Sequence, residues 1–133
     1  QGRVMTIPFE LQVYESTLLR VMIQIREWED SQLPELQTIS GRYLYFRIAA
    51  CYLQGVHSSQ HLKVFQGGVT ERAMRQRMRE FEAMDLIQME DNESDQRTKR
   101  VIPTEKFLLY LNQHLEFLKQ ILGQTYWMFD KHD

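Results

Sequence analysis

Residues 68–107 read GVTERAMRQRMREFEAMDLIQMEDNESDQRTKRVIPTEKF. Thr70 suits an N-cap, because its side-chain oxygen can accept from the first free amides of a helix. The spacing predicts a helix from there to about Met84. At about 100° per residue, with Met74 at zero, Met78 and Phe81 fall within about 40°, and Arg72, Arg75, Gln76 and Arg79 centre near about 150°. One side is apolar and the other is polar and mostly cationic. Arg77 lies on the flank, within reach of Glu80 or Glu82. Leu86 to Glu90 is too short for a helix and reads as a strand. Asp91 to Lys99 reads as a turn or loop, and Arg100 to Pro103 as the returning strand. The result is a small two-stranded β-wing. Thr104 then caps a last helix.

The 133-residue chain has a formal net charge of -2, so only local charge can mark a polyanion partner. Two clusters do so. Arg72, Arg75, Arg77 and Arg79 stand against Glu71 in the helix, and Arg97, Lys99 and Arg100 stand together in the wing. The hydrophobic share of 43% and charged share of 26% suit one globular domain. Cys51 is the only cysteine, so no intrachain disulfide forms. No apolar run reaches membrane length, and no leader opens the chain. The expected setting is cytoplasmic, with no membrane association.

Enzyme chemistry finds no support. There is no nucleophile–base pair, no glycine-rich phosphate loop and no cofactor motif. His57, His61, His114 and His132 match no zinc spacing, so no metal is expected. Asp95 and Arg97 read as an ion pair that stabilises the wing rather than as a catalytic pair. Cys51, on the inner face of a helix, reads as inert core.

The flanks are helical. Thr6 and Pro8 suit a helix start. Leu11, Tyr14, Leu18, Val21, Ile25 and Trp28 then recur at spacings of three and four, widened by Met22 and Ile23. Leu33-Pro34 ends that helix near Asp30. A second helix is expected over Gly41–Gln54, capped by Ser40 and stopped by Gly55, with Leu44, Ile48, Cys51 and Tyr52 inward. Ser58 or Ser59 is the expected cap of a short third helix to about Phe65. The last helix carries Leu108, Leu111, Leu115, Leu118 and Leu122 on one seam.

Helix, short helix, glycine turn, arginine-faced helix and ribbon is the order of a winged helix-turn-helix. A helix fits the major groove, and arginine forks pair with guanine edges or phosphates. The stretch resembles the MarR-type transcriptional regulators. GVTERAMRQRMREFEAMDLI is similar to the family's turn and recognition helix. Asp95, Arg97, Val101 and Thr104-Glu105-Lys106 are similar to its Asp-x-Arg wing signature and the start of its last helix. This chain departs from the pattern at Asp85, where the family has Gly, and at Pro103, where it has Leu.

The resemblance implies a mainly α, single-domain homodimer over residues 1–133. Residues 6–32 and 104–131 would form the N- and C-terminal dimerisation helices, and 40–103 the winged-helix lobe. It also implies sequence-specific binding to a double-stranded DNA operator. The DNA contacts would be Thr70, Arg72, Arg75, Gln76 and Arg79 in the major groove, with Arg97, Lys99 and Arg100 in the wing. A small lipophilic or phenolic effector follows from the same resemblance, with Tyr43, Phe46 and Tyr52 as pocket candidates, although packing is the plainer explanation of those aromatics. The rival reading is a winged-helix protein–protein interaction module without DNA binding. The acidic residues Glu90, Asp91, Glu93 and Asp95 beside the wing favour it.

Overall fold

The structure is a computed structural model that describes residues 9–56, 58–59, 69–92 and 95–130, with side chains for 16–56, 69–91 and 99–123. Helix α1 (Phe9–Gln32) runs two residues past the expected stop. Leu33 and the 3-10 turn Pro34–Leu36 then reverse the chain into α2 (Ile39–Leu53). The cap of α2 differs from expectation. Thr38, not Ser40, is the N-cap, and its hydroxyl oxygen accepts from the Gly41 amide at 2.9 Å. Ser40 is buried in the first turn. Gly41 is required here, because a Cβ would strike the Glu35 carbonyl oxygen and the Thr38 hydroxyl. Gly55, at φ 75°, ends α2 in the left-handed region that favours glycine.

Ser58 and Ser59, the expected caps of a third helix, are extended. They form a short strand, β1 (Ser58–Ser59), antiparallel to Val101 and Arg100. The rest of the expected third helix, with Gly67-Gly68 after it, lies outside the described residues, as do Thr6 and Pro8 at the expected start of α1. Helix α3 (Glu71–Ala83) follows. Asp85 takes φ 59° in the turn after α3, where the resemblance expects glycine. Asp tolerates this conformation better than most residues.

The wing is longer than the apolar pattern suggests. Strand β2 (Ile87–Asn92) pairs antiparallel with β3 (Asp95–Pro103), and β1 adds a third strand in the order β1-β3-β2. Residues 91, 92 and 95–99, read as loop, are therefore mostly strand. Cross-strand pairs of opposite charge extend the ladder where apolar alternation stops: Glu90 faces Arg100, and Asp91 faces Lys99. Pro103 is tolerated in the central strand because it lies beyond the last β1 pairing, at Val101.

Helix α4 (Glu105–Asp130) leaves the sheet at once. The Thr104 hydroxyl donates to the Asp85 carbonyl at 2.6 Å, and the Thr104 amide to the Leu86 carbonyl at 3.0 Å. Lys106 Nζ donates to the Met84 carbonyl at 2.8 Å. These bonds fasten the C-terminal end of α3 to the start of α4.

One core joins all the layers. Leu36 and Leu44 from the turn and α2, Met74 and Phe81 from α3, Ile87 and Val101 from the sheet and Phe107 from α4 are fully buried together. Each such side chain contributes about 1.5–3 kcal/mol by leaving water. Tyr52, expected inward, is 46% exposed, because it sits at the rim of the inner face in the last turn of α2. Cys51 is buried. On α1 only part of the seam is covered. Val21 is buried and Trp28 half-buried, while Leu18, Leu19, Met22 and Ile23 lie exposed within the chain.

Gly41→Ala is expected to destabilise the protein by about 1–3 kcal/mol through the backbone clash. Gly123→Ala, whose Cβ would meet nothing within 4 Å in mid-α4, is expected to stabilise it by about 1 kcal/mol. Urea denaturation of the two variants checks the opposed signs.

Candidate nucleic-acid interface

The amphipathic pattern of α3 decides which side chains reach solvent. Met74, Met78 and Phe81 are buried against α2 and the sheet. Burying them turns Arg72, Arg75, Gln76 and Arg79 outward, and all four are exposed. Thr70 caps the helix, its hydroxyl oxygen accepting from the Ala73 amide at 3.1 Å. Its own hydroxyl proton is left to donate outward. Arg77 is different. Its Nη1 donates to Glu80 Oε2 at 2.6 Å, so its charge is spent within the helix. Among the described residues, Arg72, Arg75 and Arg79 have no ion-pair partner. The helix therefore offers a cationic face with a neutral, apolar back.

The ribbon divides its basic residues by position. Arg100 sits at the stem, partly buried, with Nη2 3.4 Å from Glu90 Oε2. Arg100, expected among the DNA contacts, keeps its side chain one-third exposed there. Lys99, one residue nearer the tip, is exposed. Asp95 and Arg97 lie on β3 beside the turn, but their side chains, and so the stabilising pair expected there, fall outside the described residues.

Behind the arginine face lies a polar chain that the sequence reading missed. Glu29, on α1, is 2% exposed, and His114, on α4, is 1% exposed. Glu29 Oε1 accepts from Arg42 Nη1 at 2.8 Å, and Glu29 Oε2 lies 2.9 Å from His114 Nε2. On its other side, His114 Nδ1 is 3.0 Å from the Tyr45 hydroxyl. Trp28 stacks on both His114 and Phe117, at centroid distances of 5.4 and 4.7 Å. Burial lowers the His114 pKa. The Glu29 carboxylate works against that shift and the Arg42 guanidinium adds to it. Burial, with the Glu29 and Glu35 charges, raises the Tyr45 pKa far out of reach. Burial favours the neutral ring, in which Nε2–H donating to Glu29 leaves Nδ1 to accept from Tyr45. One signal was available. His114 falls three residues after Leu111 on an otherwise apolar seam, and a polar group there needs a partner.

Arg42 also borders an open cavity of about 720 Å³, lined by Arg26, Ile39, Arg42, Tyr43, Phe46, Arg47, Ala50 and Val69. Tyr43 and Phe46 line it. Tyr52 does not. The wall combines three guanidinium groups with two aromatic rings, and Arg42 lies 5.4 Å from the centre of the Phe46 ring. Val69, on the floor, immediately precedes the α3 cap. Among the described residues no three metal-ligating side chains cluster, and no helix is long and apolar enough to cross a membrane.

No protein-family model matches the sequence, and no curated protein matches it. Solved structures match in fold. The organohalide-sensing transcriptional regulator RdhR-CbdbA1625, bound to 2,4-dichlorophenol, aligns over 95% of this chain and 74% of its own, with a TM-score of 0.54 at 16% identity. Its ligand-free form aligns over 93% and 73%, with a TM-score of 0.52 at 18% identity. Bordetella bronchiseptica BpsR, whose DNA binding is regulated by 6-hydroxynicotinic acid, aligns over 91% and 84%, with a TM-score of 0.52 at 17% identity. At these identities the likeness is one of fold. The chain shares the winged-helix architecture of these proteins, with its long terminal helices.

Thr70→Ala is expected to lower stability by about 1 kcal/mol through loss of the α3 cap, and Thr70→Ser to leave it within a few tenths. Thermal melts of the two variants check this.

Proposed function

We propose that the protein is a homodimeric, sequence-specific DNA-binding transcription regulator of MarR type that acts in the cytoplasm. The observation that carries this reading is the α3 face. Three unpaired arginines and a glutamine stand exposed on one helix side whose opposite side is fully buried. A structural helix face of this kind normally interleaves its charges with acids, as Arg77 and Glu80 do here. A face left cationic suits phosphates and guanine edges.

In this reading each protomer sets α3 into a major groove, with successive grooves about 34 Å apart. Arg72, Arg75, Gln76 and Arg79 make phosphate and base contacts, and the Thr70 hydroxyl donates to a phosphate at the helix start. Arg97 and Lys99 carry the wing contact, and Arg100 braces the stem. The exposed apolar residues of α1, together with Leu109 and Leu122 of α4, support a dimer built from the terminal helices. The cavity beside α2 suits a small aromatic effector with an acidic group. Its rings would stack on the ligand, and Arg47, whose buried Nε has no hydrogen-bond partner among the described residues, would take the negative charge, because Arg26 and Arg42 already pair with Asp30 and Glu29. The regulators of similar fold respond to compounds of that kind, which supports the assignment.

The protein-interaction reading keeps one specific support, the Glu90–Arg100 and Asp91–Lys99 pairs that neutralise the wing stem. Fluorescence anisotropy on duplex fragments, selected from random sequence by the purified protein, separates the two. DNA affinity is expected to fall steeply with salt, the log–log slope losing roughly 0.9 for each phosphate contact removed. Arg72→Ala, Arg75→Ala and Arg79→Ala are each expected to weaken binding without changing the melting temperature, and Arg97→Ala to do the same. Salt-independent binding, or no selectable duplex, favours the protein partner.

A further inference from the structure

We propose that α3 divides its contacts by angle: Arg72 and Gln76 read a guanine and an adenine, while Arg75 and Arg79 hold phosphates on one wall of the groove. The assignment rests on the DNA-binding reading above. It adds to that reading the split between specificity and grip, and the bases that are sought.

The buried side of α3 fixes the direction of the helix face. Met74, Met78 and Phe81 are its buried residues. With Met74 at zero and about 100° per residue, the three average near about 10°. A helix seated in a groove turns the opposite side, near about 190°, to the floor, where the base edges lie. Gln76 stands about 10° from that line, Arg72 about 30°, Arg79 about 50° and Arg75 about 90°. All four are exposed. Reach agrees with angle. A glutamine side chain is shorter than an arginine, so it meets a base only from the middle of the face, which is where Gln76 stands. Arg75 points at a wall of phosphates, and its guanidinium is long enough to meet them. Position along the helix agrees too. In helix-turn-helix docking the N-terminal part of the reading helix approaches the bases. Thr70 caps α3, so Arg72 and Gln76 fall in its first two turns and Arg79 in its third.

The two walls differ. Glu80 and Arg77, at about 240° and 300°, close on each other at 2.6 Å, so that flank is neutral. The grip therefore falls on the strand facing Arg75 and Arg79. Glu71 and Glu82 lie nearer the buried side, at about 60° and 80°, and their side chains are shorter than that of Arg75. The chemistry of the two readers sets the bases. An arginine fork donates to O6 and N7 of guanine, and a glutamine amide pairs with N6 and N7 of adenine. Four residues of helix rise about 6 Å, so the two bases lie within about two base pairs of each other.

Duplexes selected from random sequence by the 133-residue chain, followed by fluorescence anisotropy on single-base variants of the preferred half-site, test the division. The half-site is expected to hold a guanine and an adenine within about two base pairs. Arg72→Ala is expected to erase the preference at the guanine and Gln76→Ala that at the adenine, each preference being roughly 5- to 100-fold beforehand. Gln76→Glu is expected to exchange adenine for cytosine, whose N4 amino group donates to a carboxylate. A damaged fold does not produce a new preference. Arg75→Ala and Arg79→Ala are expected to weaken all duplexes alike, each reducing the salt slope by about 0.9, and to leave the base preferences as they were. The division alone is overturned if binding stays salt-dependent while Gln76→Glu keeps the adenine, while Arg75→Ala or Arg79→Ala flattens a base preference, or while the half-site lacks the guanine–adenine pair. Salt-independent binding, or no selected duplex, overturns the DNA-binding reading along with it.

Discussion

Both oxygens of the Glu29 carboxylate need partners where almost no water reaches them, and that demand ties three helices together. A buried carboxylate left alone costs several kcal/mol, and two well-aimed donors offset most of it. Here one donor comes from α2 and the other from α4. The charge therefore fixes two helices against a third, with a directionality that leucine packing lacks. Removing either donor leaves a hidden negative charge facing apolar rings. Few alternative packings of α1, α2 and α4 satisfy both oxygens at once, so the polar chain selects among arrangements that hydrophobic burial alone would treat as similar.

Much of the α3 side of the fold was legible because it is written locally. Along α3 a period of 3.6 separates Met74, Met78 and Phe81 from the arginines, and burial of the first set dictates exposure of the second. Thr70, Gly55 and Asp85 sit where backbone geometry admits few residue types, so they too could be placed from sequence. The Arg77–Glu80 pair needed only a spacing of three.

Other features depend on partners distant in sequence, and these were not legible. Glu29 and His114 meet across 85 positions, and neither has a neighbour in sequence that announces the other. The strands of the wing run through charged residues. Their pairing rests on which acid faces which base, a matter of register that alternation of apolar residues cannot reveal. That register also sorted the basic residues. Arg100 looked like Lys99 in the sequence, and the register sets each opposite an acid, Glu90 and Asp91 in turn. Strand β1 is two serines long and pairs with the edge of β3. The Thr38 cap competed with Ser40 two residues on, and the reversal at Leu33–Leu36 decided between them.

The bonds from Thr104 and Lys106 to the end of α3 make α4 a lever. Helix α4 has 26 residues and so is about 39 Å long. With its base pinned to the Met84–Leu86 turn, a tilt of about 5° swings its far end by roughly 3 Å relative to that base. In the proposed dimer the far ends are held together, so the swing appears instead at the two bases, as a change in the span between reading helices. B-form DNA does not stretch to follow. Under the DNA-binding proposal, a rotation of a few degrees would thus be enough to place one α3 in its groove and lift the other onto the phosphate ridge.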